Sequence, residues 1–211
     1  IGPNGAGKTT LFNVITGEVA PSSGRILLGD SEITDTPADE RVRMGLGRTF
    51  QIVRIFPELT LMENLVVALE ARNRNRGTAG ARRWLRVRPT EAVTDEAYQR
   101  LAHLGLAELH ASQARHLSLG DRKRLELALT LAMDPVVLML DEPTAGMSPS
   151  ERVAIIDLIQ RTREELGLTI LLTEHDMDFV FRLSQSLMVM NQGERIFVGT
   201  PEQARSSELV Q

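Results

Sequence analysis

The segment Gly2-Pro3-Asn4-Gly5-Ala6-Gly7-Lys8-Thr9 matches every fixed position of the phosphate-binding loop pattern G-x-x-x-x-G-K-[ST]. Its glycines allow the backbone to curl so that successive N–H groups point towards an anion. Lys8 is then placed to reach the β- and γ-phosphates of a nucleotide, and the Thr9 hydroxyl is placed to ligate Mg²⁺. We predict a helix from Lys8 to Thr16, ended by Gly17, whose N-terminus adds to the same site. A glycine-rich turn without a ligand is the alternative at this point.

Composition restricts the classes of protein to which the chain can belong. Its 211 residues suit one domain, and 42% hydrophobic with 25% charged residues is ordinary for a soluble globular protein. The net charge of −4 argues against a nucleic-acid partner. The absence of cysteine excludes disulfides, thiolate metal sites and a thiol nucleophile. No apolar run approaches the roughly 18 residues needed to cross a bilayer, and no signal peptide is visible.

The two ends of the chain have the pattern of an α/β fold, whereas the middle is helical. The predicted strands are 24–29, 136–140 and 168–173, with a hairpin at 187–198, and an extended piece reaches residue 50. The predicted helices are 37–44, 61–69, 94–104, 121–133, 149–166 and a last one after 200. Strands that alternate with helices predict a mostly parallel sheet. Because the sequence begins inside the loop motif and without Met, we expect a fragment that lacks the strand leading into the loop.

Arginines concentrate between residues 72 and 88, at 72, 74, 76, 82, 83, 86 and 88. One interpretation places this segment against anionic lipid or nucleic acid. We favour a solvated surface insertion, because the intervening Gly, Thr and Asn give no sustained amphipathic face. Trp84 is interpreted as a packing anchor.

Two carboxylates, Asp141 and Glu142, follow the buried strand predicted at 136–140. Ligands of open α/β sheets bind at the carboxyl ends of strands, so Asp141 is suited to hold Mg²⁺ through water and Glu142 to polarise an attacking water as a general base. His175 follows the strand predicted at 168–173 and is a candidate γ-phosphate contact. Gln51 offers an amide oxygen to a metal or a water. Alone, such a histidine is more often structural and such a glutamine is more often a surface residue.

A second anion-binding helix start is predicted at Leu117-Ser118-Leu119-Gly120-Asp121. Ser118 and the N–H groups that follow it would form this site. Since the chain has one lysine-bearing loop, we infer that the second site serves a nucleotide held by another subunit. A plain N-cap explains Ser118 equally well.

Taken in order, these segments resemble the motifs of the nucleotide-binding subunit of ATP-binding cassette (ABC) transporters. GPNGAGKTT resembles Walker A, RTFQ the Q-loop, LSLGD the signature, VVLMLDE Walker B, AGMSP the D-loop and TEHDMD the switch-histidine loop. Within the family, RTFQIVRIFPELTLMENL, the signature helix and EPTAGMSPSE are similar to the ATPase subunit of branched-chain amino-acid importers. Importers of urea or other amides and the lipopolysaccharide-export ATPase remain alternatives.

The resemblance implies a P-loop NTPase fold, an α/β core with a mostly parallel sheet flanked by helices and an inserted helical subdomain. Residues 1–50 would carry the P-loop part of the RecA-like core, 51–134 the helical subdomain with the signature, and 135–211 the rest of the core. Two such subunits would sandwich two ATP molecules, each site pairing one chain's Walker A with the other's signature. The implied partners are a second ATPase subunit, integral membrane permease subunits and an extracytoplasmic solute-binding protein. The implied location is cytoplasmic, on the inner face of the cell membrane.

The resemblance also assigns roles by position, with ATP and Mg²⁺ as cofactors. It implies ATP binding by the loop residues Asn4, Gly5, Ala6, Gly7, Lys8, Thr9 and Thr10, together with Gln51. Mg²⁺ would be surrounded by Thr9, Gln51 and Asp141. Glu142 would be the catalytic base, His175 and Lys8 would contact the γ-phosphate, and Ser118 with Gly120 would contact the opposite ATP. The region after the Q-loop, about 52–61, would transmit closure to the membrane subunits.

The sequence departs from the family pattern at three places. Leu119 stands where the signature commonly has Gly, and Asp121 stands where Gln is commonest. Met147-Ser148 replaces a frequent Leu-Asp in the D-loop. We expect Leu119 to slow turnover by crowding the approach to phosphate.

Two other functions compete with a transport ATPase. A soluble cassette ATPase that acts on chromosomes or ribosomes would have a tandem second cassette or a long coiled coil, and the sequence shows neither. A non-hydrolysing nucleotide switch is disfavoured because Glu142 and His175 are both present.

Overall fold

The computed structural model describes residues 1–50, 53–77 and 89–207. Its helices are α1 (Lys8–Thr16), α2 (Ala38–Arg43), α3 (Leu61–Asn75), α4 (Glu91–His103), α5 (Leu119–Leu131), α6 (Pro149–Leu166), α7 (Met177–Leu183) and α8 (Pro201–Arg205). Its strands are β1 (Leu27–Leu28), β2 (Ser31–Glu32), β3 (Leu46–Arg48), β4 (Val137–Asp141), β5 (Thr169–Thr173), β6 (Leu187–Asn191) and β7 (Glu194–Gly199).

The central sheet is parallel and has the order β3-β4-β5, with Arg48 paired to Met139 and Asp141 paired to Thr173. Its middle strand is β4, where Leu138, Met139 and Leu140 are at most 1% exposed. Helices cover both faces of this strand. Met139 packs with Phe12 of α1 and Leu46 of β3 on one side, while Leu138 and Leu140 join the large apolar cluster on the other. Burial on two faces explains why the strand is an unbroken apolar run.

The large apolar cluster joins α3, α4, α5 and α6 to the sheet. Leu61, Leu65 and Leu69 of α3 recur at intervals of four residues and are fully buried, as an amphipathic helix requires. Helix α3 begins at a capping box in which Thr60 accepts a hydrogen bond from the Glu63 N–H. Helix α6 begins in the same way at Ser148, as predicted. This cluster fixes the position of α5 against the end of β4.

Strands β6 and β7 form an antiparallel hairpin beside the phosphate loop. Ile1 makes two hydrogen bonds to β6. Its amino group donates to the Met188 carbonyl oxygen at 2.7 Å, and its carbonyl oxygen accepts from the Met190 N–H at 2.9 Å. A cavity of about 710 Å³ separates β6 from the edge of β5, and Lys8, Phe12 and Thr173 line it. The hydrogen bonds of Ile1 therefore hold the start of the phosphate loop beside β6.

Most predicted elements are confirmed, and the main differences concern β3, β1 and α7. The extended piece before residue 50 is a strand, β3, because it pairs in parallel with β4. The strand predicted at 24–29 is reduced to Leu27–Leu28, which pairs with Ser31–Glu32 across a tight turn. Helix α7 was not predicted. It is capped by Asp176, whose carboxylate accepts from the N–H groups of Asp178 and Phe179 at 3.1 and 3.2 Å.

The prediction of a solvated arginine segment is wrong for Arg72. Helix α3 continues to Asn75, and Arg72 is 8% exposed, with its guanidinium 2.7 Å from Glu96 and 3.0 Å from Asp134. Those two carboxylates compensate its charge and thereby permit burial. Arg74 and Arg76 are exposed, as predicted. Trp84 and the arginines at 82, 83, 86 and 88 lie outside the described residues.

Candidate nucleotide-binding site

The phosphate loop has the tight geometry that its glycines predict. Gly2 and Gly7 have φ values of 149° and 95°, and a Cβ on Gly2 would lie 2.1 Å from the Met190 carbonyl oxygen. Helix α1 follows Gly7 without a side-chain cap, so its first N–H groups keep their capacity to donate to an anion. Asn4, Gly5, Thr9 and Thr10 are exposed, whereas Ala6 is buried. The loop therefore presents its backbone to a ligand at the surface.

Lys8 lies inside this loop rather than on its surface. The residue is only 9% exposed, and its Nζ donates to the carbonyl oxygens of Gly2 at 2.7 Å and Pro3 at 3.0 Å. Neutral carbonyls are weaker partners for an ammonium than phosphate oxygens are. The positive charge is thus held within the segment that would surround the phosphates.

Asp141 ends β4 and is 5% exposed. Its Oδ1 accepts from Thr173 Oγ1 at 2.7 Å, and its Oδ2 accepts from Arg48 Nη2 at 3.2 Å. The same guanidinium donates to Asn13 Oδ1 at 2.8 Å and Thr16 Oγ1 at 3.0 Å, both on α1. Arg48 therefore connects the carboxylate at the end of β4 to the helix that follows the phosphate loop.

Glu142 and His175 are brought together at the ends of β4 and β5. His175 Nε2 lies 3.0 Å from Glu142 Oε1, and the two side chains are 46% and 20% exposed. Glu142 has a left-handed backbone, with φ of 49°, and its N–H donates to the Thr173 carbonyl at 3.1 Å. A carboxylate paired with an imidazole at a partly exposed position can accept a proton from a water held there.

The predicted second anion site is the N-terminus of α5. Ser118 is the N-cap, and its Oγ accepts from the Asp121 N–H at 3.1 Å and donates to Asp121 Oδ2 at 2.8 Å. Gly120 faces the start of α6, where an added Cβ would lie 3.0 Å from Glu151 Oε1. Leu119 is 44% exposed and lies against Gly146. Within the described ranges, no hydrogen bond joins Ser118 or Gly120 to the phosphate loop.

Gln51 lies outside the described residues, but its flanks are held in place. Glu126 of α5 is 5% exposed, and its Oε1 accepts from the N–H groups of Phe50 at 3.1 Å and Arg54 at 3.2 Å. Burial raises the pKa of Glu126, and these two backbone hydrogen bonds oppose that effect.

Several residues of the site were missed by sequence reasoning. Glu174 is 4% exposed and accepts from the Thr144 N–H and Oγ1 at 2.9 and 2.6 Å, and from the His175 N–H at 3.0 Å. It therefore fixes the backbone before His175. Its position inside the TEHD segment was a signal that could have identified it. Arg48 and Thr173 also stand in quoted segments, RTFQ and TEHDMD, but their contacts with Asp141 depend on strand register, which those segments do not show.

The donor set suits Mg²⁺. Hydroxyl and carboxylate oxygens are the ligands that this cation prefers, and Thr9 and Asp141 offer one of each. The Asp141 carboxylate keeps acceptor capacity beyond its bonds to Thr173 and Arg48, because two carboxylate oxygens have about four lone-pair sites. In the described ranges no cluster of three or more His, Cys, Asp or Glu forms a separate metal site. Nor does a helix there have the length and apolar character to span a bilayer.

A parallel sheet flanked by helices, with a glycine-rich loop leading into the first helix, defines a P-loop NTPase. Comparisons with known proteins make the assignment narrower. Residues 1–145 match the family described as ABC transporter. The chain belongs to the ABC transporter family, which confirms the resemblance inferred from the motifs.

Two relatives and one solved structure show how far the similarity extends. The chain is 43% identical to the high-affinity branched-chain amino acid transport ATP-binding protein LivG of Escherichia coli K12, over 98% of this chain and 82% of that one. It is 42% identical to the protein of the same description, BraF, of Pseudomonas aeruginosa, with the same coverage of 98% and 82%. A crystal structure of the ADP conformation of an ATP-binding cassette of an ABC transporter has a TM-score of 0.84 and 30% identity, covering 100% of this chain and 84% of that one.

Proposed function

We propose that this chain is the ATP-binding and ATP-hydrolysing subunit of an ABC importer of branched-chain amino acids. The observation that supports hydrolysis is that the buried Asp141 and the Glu142–His175 pair lie at the ends of β4 and β5, where Arg48 connects Asp141 to the helix that follows the phosphate loop. The relatives LivG and BraF, which are branched-chain amino acid transport ATP-binding proteins, support the choice of solute.

In this proposal the loop from Asn4 to Thr10 binds the triphosphate through its backbone N–H groups and Lys8. Glu142 accepts a proton from a water whose oxygen attacks the γ-phosphorus, and the bond between that phosphorus and the β–γ bridging oxygen breaks to give ADP and phosphate. His175 contacts the γ-phosphate. Thr9, Gln51 and Asp141 would hold Mg²⁺, which would neutralise charge on the phosphates.

The remaining partners are also part of the proposal. Ser118 and Gly120 contact ATP held by a second ATPase subunit, which explains why they have no hydrogen bond to the phosphate loop of their own chain within the described residues. The residues 52–61 contact integral membrane permease subunits at the inner face of the cell membrane, and an extracytoplasmic protein delivers the solute. In this proposal residues 1–50 and 135–211 form the ATPase core, which carries the phosphate loop, Glu142 and His175. Residues 51–134 form the helical subdomain, which carries Ser118 and the contact with the permease.

The Glu142→Gln variant tests this function. It keeps the size of the side chain and its capacity to accept a hydrogen bond but loses the base, so we expect ATP hydrolysis to fall by about 10²–10⁴-fold while ATP affinity is retained. In the organism that carries the gene, the same substitution should abolish uptake of labelled leucine. Hydrolysis is measured as phosphate release, and affinity by calorimetry.

Glu164→Gln is the matched control, because Glu164 is an exposed residue of α6 that loses the same charge. It should hydrolyse ATP and import leucine normally. Phosphate release by Glu142→Gln at the parent rate would remove Glu142 as the base. Loss of hydrolysis with leucine uptake unchanged would retain the ATPase and reject the solute.

A further inference from the structure

The chain has two lysines among its 24 Lys and Arg residues, Lys8 and Lys123. Both are 9% exposed, and both donate from Nζ to backbone carbonyl oxygens. Lys8 belongs to the phosphate loop. Lys123, one turn into α5, has no role in the function proposed above.

Lys123 reaches from α5 to the loop that follows β4. Its Nζ donates to the carbonyl oxygens of Glu142 at 3.1 Å, Pro143 at 3.0 Å and Ala145 at 2.8 Å. An ammonium has three N–H groups that diverge from one atom and can serve three converging acceptors, whereas the planar guanidinium of arginine directs its donors in a flat fork. The three contacts therefore suit lysine better than arginine.

The contact with Glu142 falls on a strained peptide. Glu142 has φ of 49°, a left-handed conformation that residues with a side chain rarely adopt. Its N–H is held by the Thr173 carbonyl at 3.1 Å and its own carbonyl by Lys123 at 3.1 Å. Such conformations persist where the surroundings restrain them from several sides. Release of the carbonyl would allow the backbone to rotate and the Glu142 carboxylate to leave His175.

The surroundings compensate the buried charge of Lys123. Burial lowers the pKa of this lysine, and the charges of Glu174, Glu126 and Glu142 oppose that effect. Glu126 lies one turn further along α5 and holds the two flanks of Gln51. One face of α5 thus holds both the Q-loop segment and the loop that carries the catalytic base.

We propose that Lys123 is a positioning residue for ATP hydrolysis, which holds the Glu142 backbone in its left-handed conformation and so directs the Glu142 carboxylate towards the attacking water. The proposal rests on the function proposed above, in which Glu142 is the base. Because Ser118 is the N-cap of α5, the same three hydrogen bonds connect the helix that contacts the opposite ATP to the base of its own site.

The Lys123→Met variant tests this role, since methionine fills most of the volume and donates no hydrogen bond. We expect kcat for ATP hydrolysis to fall by about 10- to 100-fold, the cost of a misplaced catalytic group, while KM and the Kd for ATP stay within about twofold of the parent. Hydrogen exchange of the amides in residues 142–147 should accelerate well below the melting temperature. Lys123→Arg keeps the charge and should recover part of kcat.

Arg72→Met is the control for loss of a buried cation, because Arg72 is 8% exposed and contacts Glu96 and Asp134, away from the loop after β4. It should lower the melting temperature and leave kcat unchanged. If Lys123→Met does not fold, Lys123→Gln and Lys123→Arg test the positioning role instead. We expect kcat to fall in both variants without a change in KM.

Parent-like kcat in the folded Lys123 variants would overturn the positioning role, as would equal losses of kcat and ATP affinity. The Glu142→Gln variant separates this result from failure of the function itself. If Glu142→Gln is inactive and Lys123→Met is active, only the role of Lys123 is rejected. If Glu142→Gln is active, the assignment of Glu142 as the base is rejected, and the positioning role of Lys123 is rejected with it.

Discussion

Asp141 illustrates how a buried carboxylate is kept in place by neighbours distant in sequence. Thr173 and Arg48 each donate to one of its oxygens, and these residues come from the two strands on either side of β4. Burial of a carboxylate without such donors is costly. The position of this carboxylate therefore depends on the register of three strands. Removal of one donor should lower the stability of the fold.

We predict that Thr173→Val lowers the free energy of unfolding by about 1–3 kcal/mol, because a buried acceptor loses its partner while the shape is retained. Thr169→Val is the matched control on the same strand, where the side chain is exposed. Urea denaturation of both variants measures the difference. Equal stability of the two would show that the hydroxyl of Thr173 does not support Asp141.

At the scale of elements, an ionic cluster holds α3 and α4 to the turn before β4. Arg72 and Arg100 both contact Glu96 and Asp134, at distances between 2.7 and 3.0 Å. Hydrogen bonds from Arg72, followed by those from Arg100, lower the pKa of Glu96 from its ordinary 4.5 to about 2. The cluster therefore joins the helices more strongly when Glu96 is ionised.

This shift predicts a pH dependence of stability. Since the pKa of Glu96 is lower in the folded chain, its contribution is complete above about pH 4.5 and is lost as the pH falls towards about 2. The urea midpoint of Glu96→Gln should lie below that of the parent at pH 7, and the gap should narrow below about pH 4.5. Asp95→Asn, an exposed neighbour on α4, should show no such gap. A gap of constant size from pH 7 to pH 3.5 would contradict the prediction.

Elements with a local signature could be predicted from the sequence. Helix α1 has the predicted bounds, Lys8–Thr16, and the capping boxes at Ser148 and Thr200 mark the starts of α6 and α8. Helix α7 was missed because it has only seven residues and depends on a cap by Asp176 and on burial of Phe179. Such a short helix is stabilised by packing more than by propensity.

The site residues also divide into those that a local sequence pattern indicates and those that it does not. Lys8, Asp141, Glu142 and His175 stand in motifs whose spacing indicates their chemistry. The contacts of Arg48, Lys123 and Glu126 have no such signal, because their partners are 19 to 93 positions away and the contacts arise only when α5 and β3 pack beside β4. A local pattern carries no information about that packing.

At the scale of the whole molecule, the two proposed nucleotide contacts face different partners. The phosphate loop lies beside the β6–β7 hairpin, where the Gly193 N–H donates to the Ala6 carbonyl at 3.1 Å. Ser118 lies at the start of α5, against α6. Within the described ranges these two surfaces share no hydrogen bond, and in the proposed function ATP held by both joins two chains.

We therefore predict that Glu142→Gln with ATP elutes as a dimer in size-exclusion chromatography with light scattering, and as a monomer with ADP. Hydrolysis no longer removes the γ-phosphate that both chains contact. Addition of Ser118→Arg should prevent the dimer without loss of ATP binding, because the longer side chain obstructs the second contact. Ser206→Arg, at an exposed position after α8, should leave the dimer intact. A monomer under all conditions would contradict the shared site.

The concealment of both lysines has a practical consequence. Acylating reagents modify accessible amines, and both lysines are 9% exposed while Nζ donates to backbone carbonyls. Each side chain can react only when its own loop opens. The rate of acetylation at Lys8 or Lys123, followed by mass spectrometry, would therefore report how often the loop around that lysine opens.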